Sequence, residues 1–125
     1  MGVAEYTLLA DAVGTNVTSS LTGVEIANAA SRRVVECSEV TFCRLQFASN
    51  NATSELETQY SLDDGATWIP MIVRFKQAGV PLQGNQNSGW SLVPDAALGR
   101  DIMTRAVLFG DGSPTRVTYL SLQFR

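Results

Sequence analysis

DIMTRAVLFGDGSPTRVTYLSLQFR, residues 101–125, holds two apolar segments separated by a short run of Gly, Asp, Ser and Pro. In the second segment, one set of alternate positions is apolar and the other is polar: Leu120, Leu122 and Phe124 against Tyr119, Ser121 and Gln123. A period of two is typical of a β-strand with one buried face. Asp111 and Gly112 are residue types that adopt the positive φ angles of a tight turn. The stretch therefore predicts a β-hairpin.

The same period recurs along the chain between turn signals about 8 to 12 residues apart, a spacing typical of an all-β sandwich or barrel. The alternating segments are 39–48, 54–62 and 67–75, with shorter ones at 5–11, 16–21 and 31–37. Pro70 lacks the N–H that an inner strand donates, so its segment is expected at a sheet edge or a bulge. We predict an all-β fold, an antiparallel two-sheet β-sandwich formed as one domain over residues 1–125. An immunoglobulin-like strand order is preferred, with a jelly roll as the alternative.

The longest irregular stretch is 76–101, which is rich in Gly, Asn and Gln and holds one short strand signal, GWSLV. Loops of that length in compact domains usually carry function. This stretch is therefore the first choice for a loop that contacts a partner.

Charge argues against two classes of partner. Twelve acidic and nine basic side chains give a formal net charge of −3. Binding to a phosphate backbone draws on a positive surface, so we expect no nucleic-acid partner. No basic amphipathic stretch occurs, and no apolar run approaches the roughly 20 residues of a spanning helix, so we expect no membrane partner. The first residues do not resemble a secretory signal, so synthesis in the cytoplasm is expected.

The sequence lacks the residue type that catalytic and metal sites use most often. The chain has no histidine, which removes the commonest general base and metal ligand. Glu55 and Glu57 lie two apart on one strand face and could serve as an acid and base pair in glycoside chemistry, but the pattern favours an exposed polar face. Asp63, Asp64 and Asp111 could bind calcium if two hairpin tips met, although turn stabilisation is the commoner role. We therefore predict a non-enzymatic protein with no catalytic residue, no metal site and no cofactor.

Cys37 and Cys43 are the only cysteines. On one continuous strand they would lie about 20 Å apart, which is too far for a disulfide. A bridge would require residues 38–40 to fold back as a tight turn. We expect two free thiols, with Cys43 acting as a small core residue.

SLDDGATW, residues 61–68, resembles the Asp-box motif of sialidases and related propellers. The matching positions are Ser61, Asp63, Gly65, Thr67 and Trp68. In that family the motif closes a hairpin away from the catalytic centre. Asp63 can accept hydrogen bonds from the turn backbone, and Gly65 can adopt a positive φ. Because a propeller needs at least four blades, a single copy indicates a structural hairpin turn and no sialidase.

A second resemblance covers residues 15–125. The order of NVTSSLTG (16–23), VTFCRLQF (40–47), ETQYSLDDGATWIPM (57–71) and RAVLFGDGSPTRVTYLSLQF (105–124) is similar to that of small β-sandwich proteins of tailed bacteriophage particles. Members of this group are head decoration (cement) proteins or tail-surface proteins, and they have no catalytic residues to transfer. The chain departs from the group in carrying Asp64 where glycine is usual and in its long 76–100 excursion.

This resemblance implies a structural virion protein, made in the host cytoplasm. Its most specific form is a capsid decoration subunit that binds and stabilises a shell of major capsid proteins. Its partners would be the major capsid protein or another virion protein, together with copies of itself, a trimer being one option. The candidate partner contacts are Tyr6, Leu8, Leu9 and Trp90, each of which also fits an ordinary core position.

The alternative function is a carbohydrate-binding module or tail-surface protein that binds glycans through an exposed Trp68 or Trp90. Two further hypotheses remain. One is a cytoplasmic adaptor, and the other is an enzyme whose catalytic groups are carboxylates.

Overall fold

The structure, a computed structural model, describes residues 4–26, 33–49, 55–76, 86–87, 89–112 and 114–125. These ranges are mostly β-strand. The strands are β1 (Ala4–Thr18), β2 (Val24–Glu25), β3 (Arg33–Glu36), β4 (Phe42–Ser49), β5 (Glu55–Ser61), β6 (Ile69–Lys76), β7 (Gln86–Asn87), β8 (Ser91–Leu92), β9 (Asp101–Phe109) and β10 (Pro114–Phe124). A short 3-10 turn, Asp95–Ala97, lies between β8 and β9. Within the described ranges, no helix has the length and apolarity needed to cross a membrane.

The strands form two antiparallel sheets. Sheet 1 has the order β1-β10-β4, and the short strands β7 and β8 both pair with β4. Sheet 2 has the order β2-β9-β5-β6, and β3 also pairs with β9. The predicted all-β, two-sheet sandwich is therefore confirmed.

The strand order is that of a jelly roll. The short strands β2 and β3 share one neighbour, as do β7 and β8, so each pair counts as one interrupted strand. The resulting eight strands pair first with last, second with seventh, third with sixth and fourth with fifth. That order arises when one long hairpin of chain is rolled into two sheets, as in double-sheet jelly rolls.

The preference for an immunoglobulin-like order is corrected by this pairing. In an immunoglobulin-like domain the first strand pairs with the second, whereas β1 here pairs with β10. The physical reason is that alternation identifies which side chains are buried but carries no information about which strand lies alongside. Of the two orders left open by the sequence, the structure has the jelly roll.

The predicted hairpin over 101–125 is also corrected. β9 pairs with β5 in sheet 2, and β10 lies between β1 and β4 in sheet 1, so the turn joins the two sheets instead of two neighbouring strands. Gly112 has the positive φ expected of this turn, at 95°. The Ser19 hydroxyl accepts a hydrogen bond from the Gly112 N–H at 3.3 Å, and the Ser20 carbonyl accepts one from the Gly110 N–H at 2.9 Å. A glycine turn reverses the chain equally well within a sheet or between two sheets, which is why the local sequence did not separate the cases.

The core fills the space between the sheets with alternate side chains of both central strands and their neighbours. Its largest fully buried members are Phe124, Leu8, Ile26, Leu45, Leu56, Ile102, Leu108, Leu120, Leu122, Val35 and Val117. A register shift between Val117 and Tyr119 marks an irregularity in β10. Full burial of a Leu or Ile side chain contributes about 1.5–3 kcal/mol, so this layer supplies most of the driving force for folding.

Pro70 lies where its chemistry predicts. It belongs to β6, the edge strand of sheet 2, and it pairs with Gln59 next to a register shift between Thr58 and Gln59. An edge strand next to an irregular register tolerates a residue without a backbone N–H.

Cys37 and Cys43 are both buried and both free, as the sequence predicted. The segment between them does turn, and Glu39 adopts a left-handed φ of 58°. Burial is the largest cause that raises the pKa of the Cys37 thiol to about 11 and that of the Cys43 thiol to about 12. The reactive thiolate form of each is therefore disfavoured in the folded protein.

Candidate interaction surface

Three loops meet at one end of the sandwich: 37–41 after β3, 62–68 after β5 and 93–100 after β8. Backbone hydrogen bonds join two of these loops and the end of β10: Cys37 N to Arg100 O at 2.9 Å, Gly99 N to Cys37 O at 2.9 Å, Val93 N to Thr41 O at 2.9 Å and Thr41 N to Arg125 O at 2.8 Å. We call this the Asp63 end. The 37–41 and 93–100 loops are bonded to each other and to Arg125, which gives this part of the end a defined shape.

The turn at 62–67 is organised by two polar side chains. The Asp63 carboxylate accepts hydrogen bonds from the Thr67 N–H at 2.8 Å, the Thr67 hydroxyl at 2.5 Å and the Ser61 hydroxyl at 2.7 Å. The Ser61 oxygen accepts in turn from the Gly65 N–H at 2.8 Å. Asp64 and Gly65 adopt φ angles of 60° and 90°, which these residue types tolerate better than most. Three side chains shared with the Asp-box pattern, those of Ser61, Asp63 and Thr67, thus form hydrogen bonds within the turn.

These hydrogen bonds favour the ionised form of Asp63. The Thr67 hydroxyl is the largest cause, followed by the Thr67 N–H and the Ser61 hydroxyl, and together they lower the pKa of Asp63 from 3.8 to about 2. The calcium arrangement considered above is not assembled, because Asp111 follows β9 at the opposite end of the sandwich. In the part of the chain that the structure describes, no three His, Cys, Asp or Glu side chains gather as metal ligands do.

Arg105 organises the outer face of sheet 2. Its guanidinium forms an ion pair with Glu25 at 3.0 Å, donates to the Gln59 side-chain oxygen at 2.8 Å and lies 4.3 Å from the centre of the Trp68 ring. Glu57, expected on an exposed polar face, is only 6% exposed and accepts from the Gln59 amide at 3.4 Å. The correction follows from position, since β5 is an inner strand between β9 and β6, and Arg105 of β9 reaches across to Gln59.

A second cluster, the arginine–aromatic patch, lies on the outer face of sheet 1 at the Asp63 end. It consists of Phe42, Arg44, Trp90, Leu92 and Arg125. The Arg44 and Arg125 guanidinium carbons lie 4.5 Å and 4.3 Å from the centre of the Trp90 ring, and that of Arg125 lies 5.6 Å from the Phe42 ring. Phe42 pairs with Leu92 across β4 and β8. The patch therefore combines two fixed positive charges with apolar surface.

Polar side chains extend from this patch across sheet 1. Arg44 Nε donates to the Gln123 side-chain oxygen at 2.6 Å, and the Gln123 amide donates to Gln46 at 3.1 Å and to Glu5 at 3.3 Å. The Tyr119 hydroxyl donates to Glu5 and is the largest cause that lowers the pKa of that carboxyl. Burial, followed by the Glu5 hydrogen bond, raises the pKa of Tyr119. The network fixes the position of Arg44.

Exposed large apolar side chains are concentrated at the Asp63 end. Of the seven such residues among those described, five lie there: Phe42, Leu62, Ile69, Leu92 and Leu98. Val34 lies on β3, and Leu21 lies at the opposite end, between β1 and β2. Leu62, the last residue of the alternating segment 54–62, is exposed because the chain has already left β5 for the turn. Grouped apolar exposure is typical of an interaction surface, whereas scattered apolar residues are ordinary.

The structure distributes the four sequence-predicted partner contacts over different environments. Leu8 is 1% exposed and belongs to the core. Tyr6 is half-buried and packs edge-on against Phe124, with ring centres 5.8 Å apart. The Leu9 backbone pairs with Leu120, and the Leu9 side chain lies outside the described part of the structure. Of the four, Trp90 belongs to the arginine–aromatic patch.

Sequence reasoning missed the partners of Trp90. Arg44 and Arg125 are far apart in the sequence, and the pairing of β10 with β4 and of β4 with β8 brings them to one indole ring. The available signal was the alternation of Phe42 and Arg44 with the core residues Cys43 and Leu45, which places the first pair on the outer face. Parts of the 76–101 stretch, residues 77–85 and 88, lie outside the described residues.

No protein-family model and no curated protein sequence matches the chain. Among solved structures, it is similar to "Structure of infectious bursal disease virus Gx strain", with 14% sequence identity and a TM-score of 0.49 over 98% of this chain and 31% of that chain. It is also similar to "Crystal structure of infectious bursal disease virus VP2 subviral particle", with 13% identity and a TM-score of 0.44 over 98% of this chain and 32% of that chain. The chain spans about a third of the length of these viral proteins.

Proposed function

We propose that the protein is a non-catalytic structural protein of a virus particle, and that it acts as a capsid decoration protein that binds and stabilises a shell of major capsid proteins. The observation that carries the proposal is the concentration of exposed apolar side chains at the Asp63 end. Double-sheet jelly rolls serve in viral capsid, lectin and cupin proteins, so the fold is compatible with the proposal without deciding it.

The Asp63 end is suited to contact a large, flat partner. Leu98 lies in the 93–100 loop, which crosses from sheet 1 to sheet 2 and therefore lies between the sheets at this end. Its side chain is 42% exposed. An end-on contact would bury this residue, and such burial is the main favourable term in protein association.

A glycan site on either tryptophan is less well supported. Stacking on a sugar needs an open indole face, whereas the Trp68 ring lies against the Arg105 guanidinium and the Trp90 ring against those of Arg44 and Arg125. Neither indole is fully exposed. We therefore propose protein contact as the function of this surface.

The test is co-sedimentation of the purified protein with particles of the virus that encodes it, assembled without it. We expect saturable binding and a higher melting temperature of the shell, because a ligand that binds only the assembled state stabilises that state. Leu98→Asp should weaken binding about 10- to 100-fold, the equivalent of losing one buried leucine of about 1.5–3 kcal/mol.

Leu21→Asp is the matched control. Leu21 is 83% exposed at the opposite end, so the same change there should leave binding intact. Equal loss with both variants, or no sedimentation of the unmodified protein with any particle, would overturn the proposal.

A further inference from the structure

The arginine–aromatic patch carries two positive charges, of which that of Arg44 is partly balanced by Glu5 on β1. Residues 40–46, 89–94 and 119–125 form this corner and contain two arginines and no Asp or Glu. Arg125 is exposed, and no carboxylate within the described ranges forms an ion pair with its guanidinium. Leu92, at 69% exposed, provides apolar surface beside it. A surface of this kind suits a segment that is both acidic and apolar.

The 62–68 loop of the same protein, together with Ile69 at the start of β6, is such a segment, and we call it the 62–69 turn. Residues 60–73 contain two Asp and no Lys or Arg. The Asp63 carboxylate is engaged within the turn, and Asp64 beside it is exposed with a backbone fixed at a φ of 60°. Leu62 and Ile69, each 41% exposed, flank the two acids. The turn therefore presents one acidic group between two apolar side chains.

We propose that the 62–69 turn of one copy of this chain docks on the arginine–aromatic patch of a second copy. Asp64 of the first copy would face Arg125 of the second, while Leu62 and Ile69 would contact Phe42 and Leu92. The proposal rests on the proposed function, because it gives the decoration subunit its self-association contact. Charge complementarity and matched apolar exposure select a second copy as the occupant.

The two surfaces lie on different sheets of one molecule, since Phe42 and Leu92 belong to sheet 1 and Ile69 to sheet 2. The contact is therefore heterologous, with each copy using its turn on one neighbour and its patch on another. Heterologous contacts close into rings when the rotation permits and otherwise continue as chains of subunits. A dimer with two identical surfaces in contact is not expected.

The experiment is sedimentation velocity on the full chain at concentrations of about 1 to 100 µM, where self-association follows mass action. We expect species heavier than a monomer at about 50 mM salt and fewer of them at about 500 mM, because salt screens exposed charge pairs. Asp64→Lys and Arg125→Glu should each weaken association at least about tenfold, through like-charge contacts. The double variant D64K/R125E should recover association, because the two charges are then exchanged.

Three controls accompany the exchange. Asp95→Lys makes the same charge change at an exposed residue of the Asp63 end outside both surfaces and should leave association unchanged. Asp64→Asn removes the charge with a residue that tolerates positive φ, so it separates charge from backbone strain. Circular dichroism and urea unfolding confirm that each variant is folded.

A monomer at all protein and salt concentrations would overturn the inference. Association that neither Asp64→Lys nor Arg125→Glu weakens would also overturn it, as would a double variant that does not recover association. The outcome is separable from that of the proposed function. A monomer that still binds particles disproves only the docking of copies, whereas an assembly that binds no particle disproves only the decoration role.

Discussion

Replacing Gly23 by alanine should destabilise the protein far more than the same replacement at Gly112. Both glycines have strongly positive φ angles, 92° and 95°. A Cβ at Gly23 would lie 2.7 Å from Phe109 Cε1 and 2.7 Å from Val107 Cγ1, whereas a Cβ at Gly112 would meet nothing within 4 Å. Phe109 and Val107 are both buried, so neither side chain can swing away into solvent.

The expected magnitude has two parts. A left-handed conformation costs an alanine about 1–2 kcal/mol relative to glycine, and this part is common to both variants. Forcing a methyl group into packed side chains adds about 1–3 kcal/mol, and this part applies to Gly23 alone. We therefore expect losses in the free energy of unfolding of about 2–5 kcal/mol for Gly23→Ala and about 1–2 kcal/mol for Gly112→Ala.

The assay is urea unfolding followed by tryptophan fluorescence, with far-UV circular dichroism as a second probe of two-state behaviour. With a slope of about 2 kcal/mol/M, a difference of about 2 kcal/mol separates the two midpoints by about 1 M urea. Equal midpoints for the two variants would refute the reasoning, because they would show that the chain before β2 does not approach Phe109 and Val107 as closely as the structure places it.

Three further predictions address single groups. Thr58 is fully buried and its hydroxyl has no hydrogen-bond partner among the described residues, so Thr58→Val should raise the free energy of unfolding by about 1 kcal/mol while Thr58→Ser lowers it, as measured by the same urea assay. Because the pKa of Asp63 is lowered to about 2 in the folded state, its contribution is complete above about pH 4 and is lost as the pH falls towards about 2. Unfolding at several pH values should therefore show a shallower acid dependence for Asp63→Asn than for Asp64→Asn, and equal slopes would contradict this. Cys37 and Cys43 should resist a thiol-specific reagent in the native protein and react once urea unfolds it, and rapid native labelling would show that the thiols are accessible.

How much of the fold the sequence could predict is clear from β9 and β10. Their alternation identified the core residues Leu120, Leu122 and Phe124 correctly. The residues between the strands indicated a turn, and Gly112 has the conformation that this turn requires. Neither feature contains the information that the strands belong to different sheets. That outcome is decided by long-range pairing with β1, β4 and β5, which local patterns do not encode.

The site was less predictable for the same reason. The turn at 61–68 could be anticipated, because Asp63 bonds to residues within four positions of itself. Trp90 was singled out as an aromatic residue, but its environment comes from Arg44 and Arg125, which reach it through two different strand pairings. Apolar exposure at Leu92 likewise depends on β8 being a two-residue edge strand, a property of the assembled sheet.

The topology also explains why one end of the sandwich is suited to binding. A jelly roll sends the 37–41, 62–68 and 93–100 loops to the same end, so residues that are distant in the sequence share one surface there. Backbone hydrogen bonds among Cys37, Arg100, Thr41 and Arg125 fix the part of this surface formed by 37–41 and 93–100 before any partner arrives. A preorganised surface loses little conformational entropy on binding, so exposed apolar side chains placed on it convert more of their burial into affinity than the same side chains on a flexible loop. We therefore expect Leu98→Asp to weaken particle binding more than Leu21→Asp, although Leu21 at the opposite end is the more exposed of the two, at 83% against 42%.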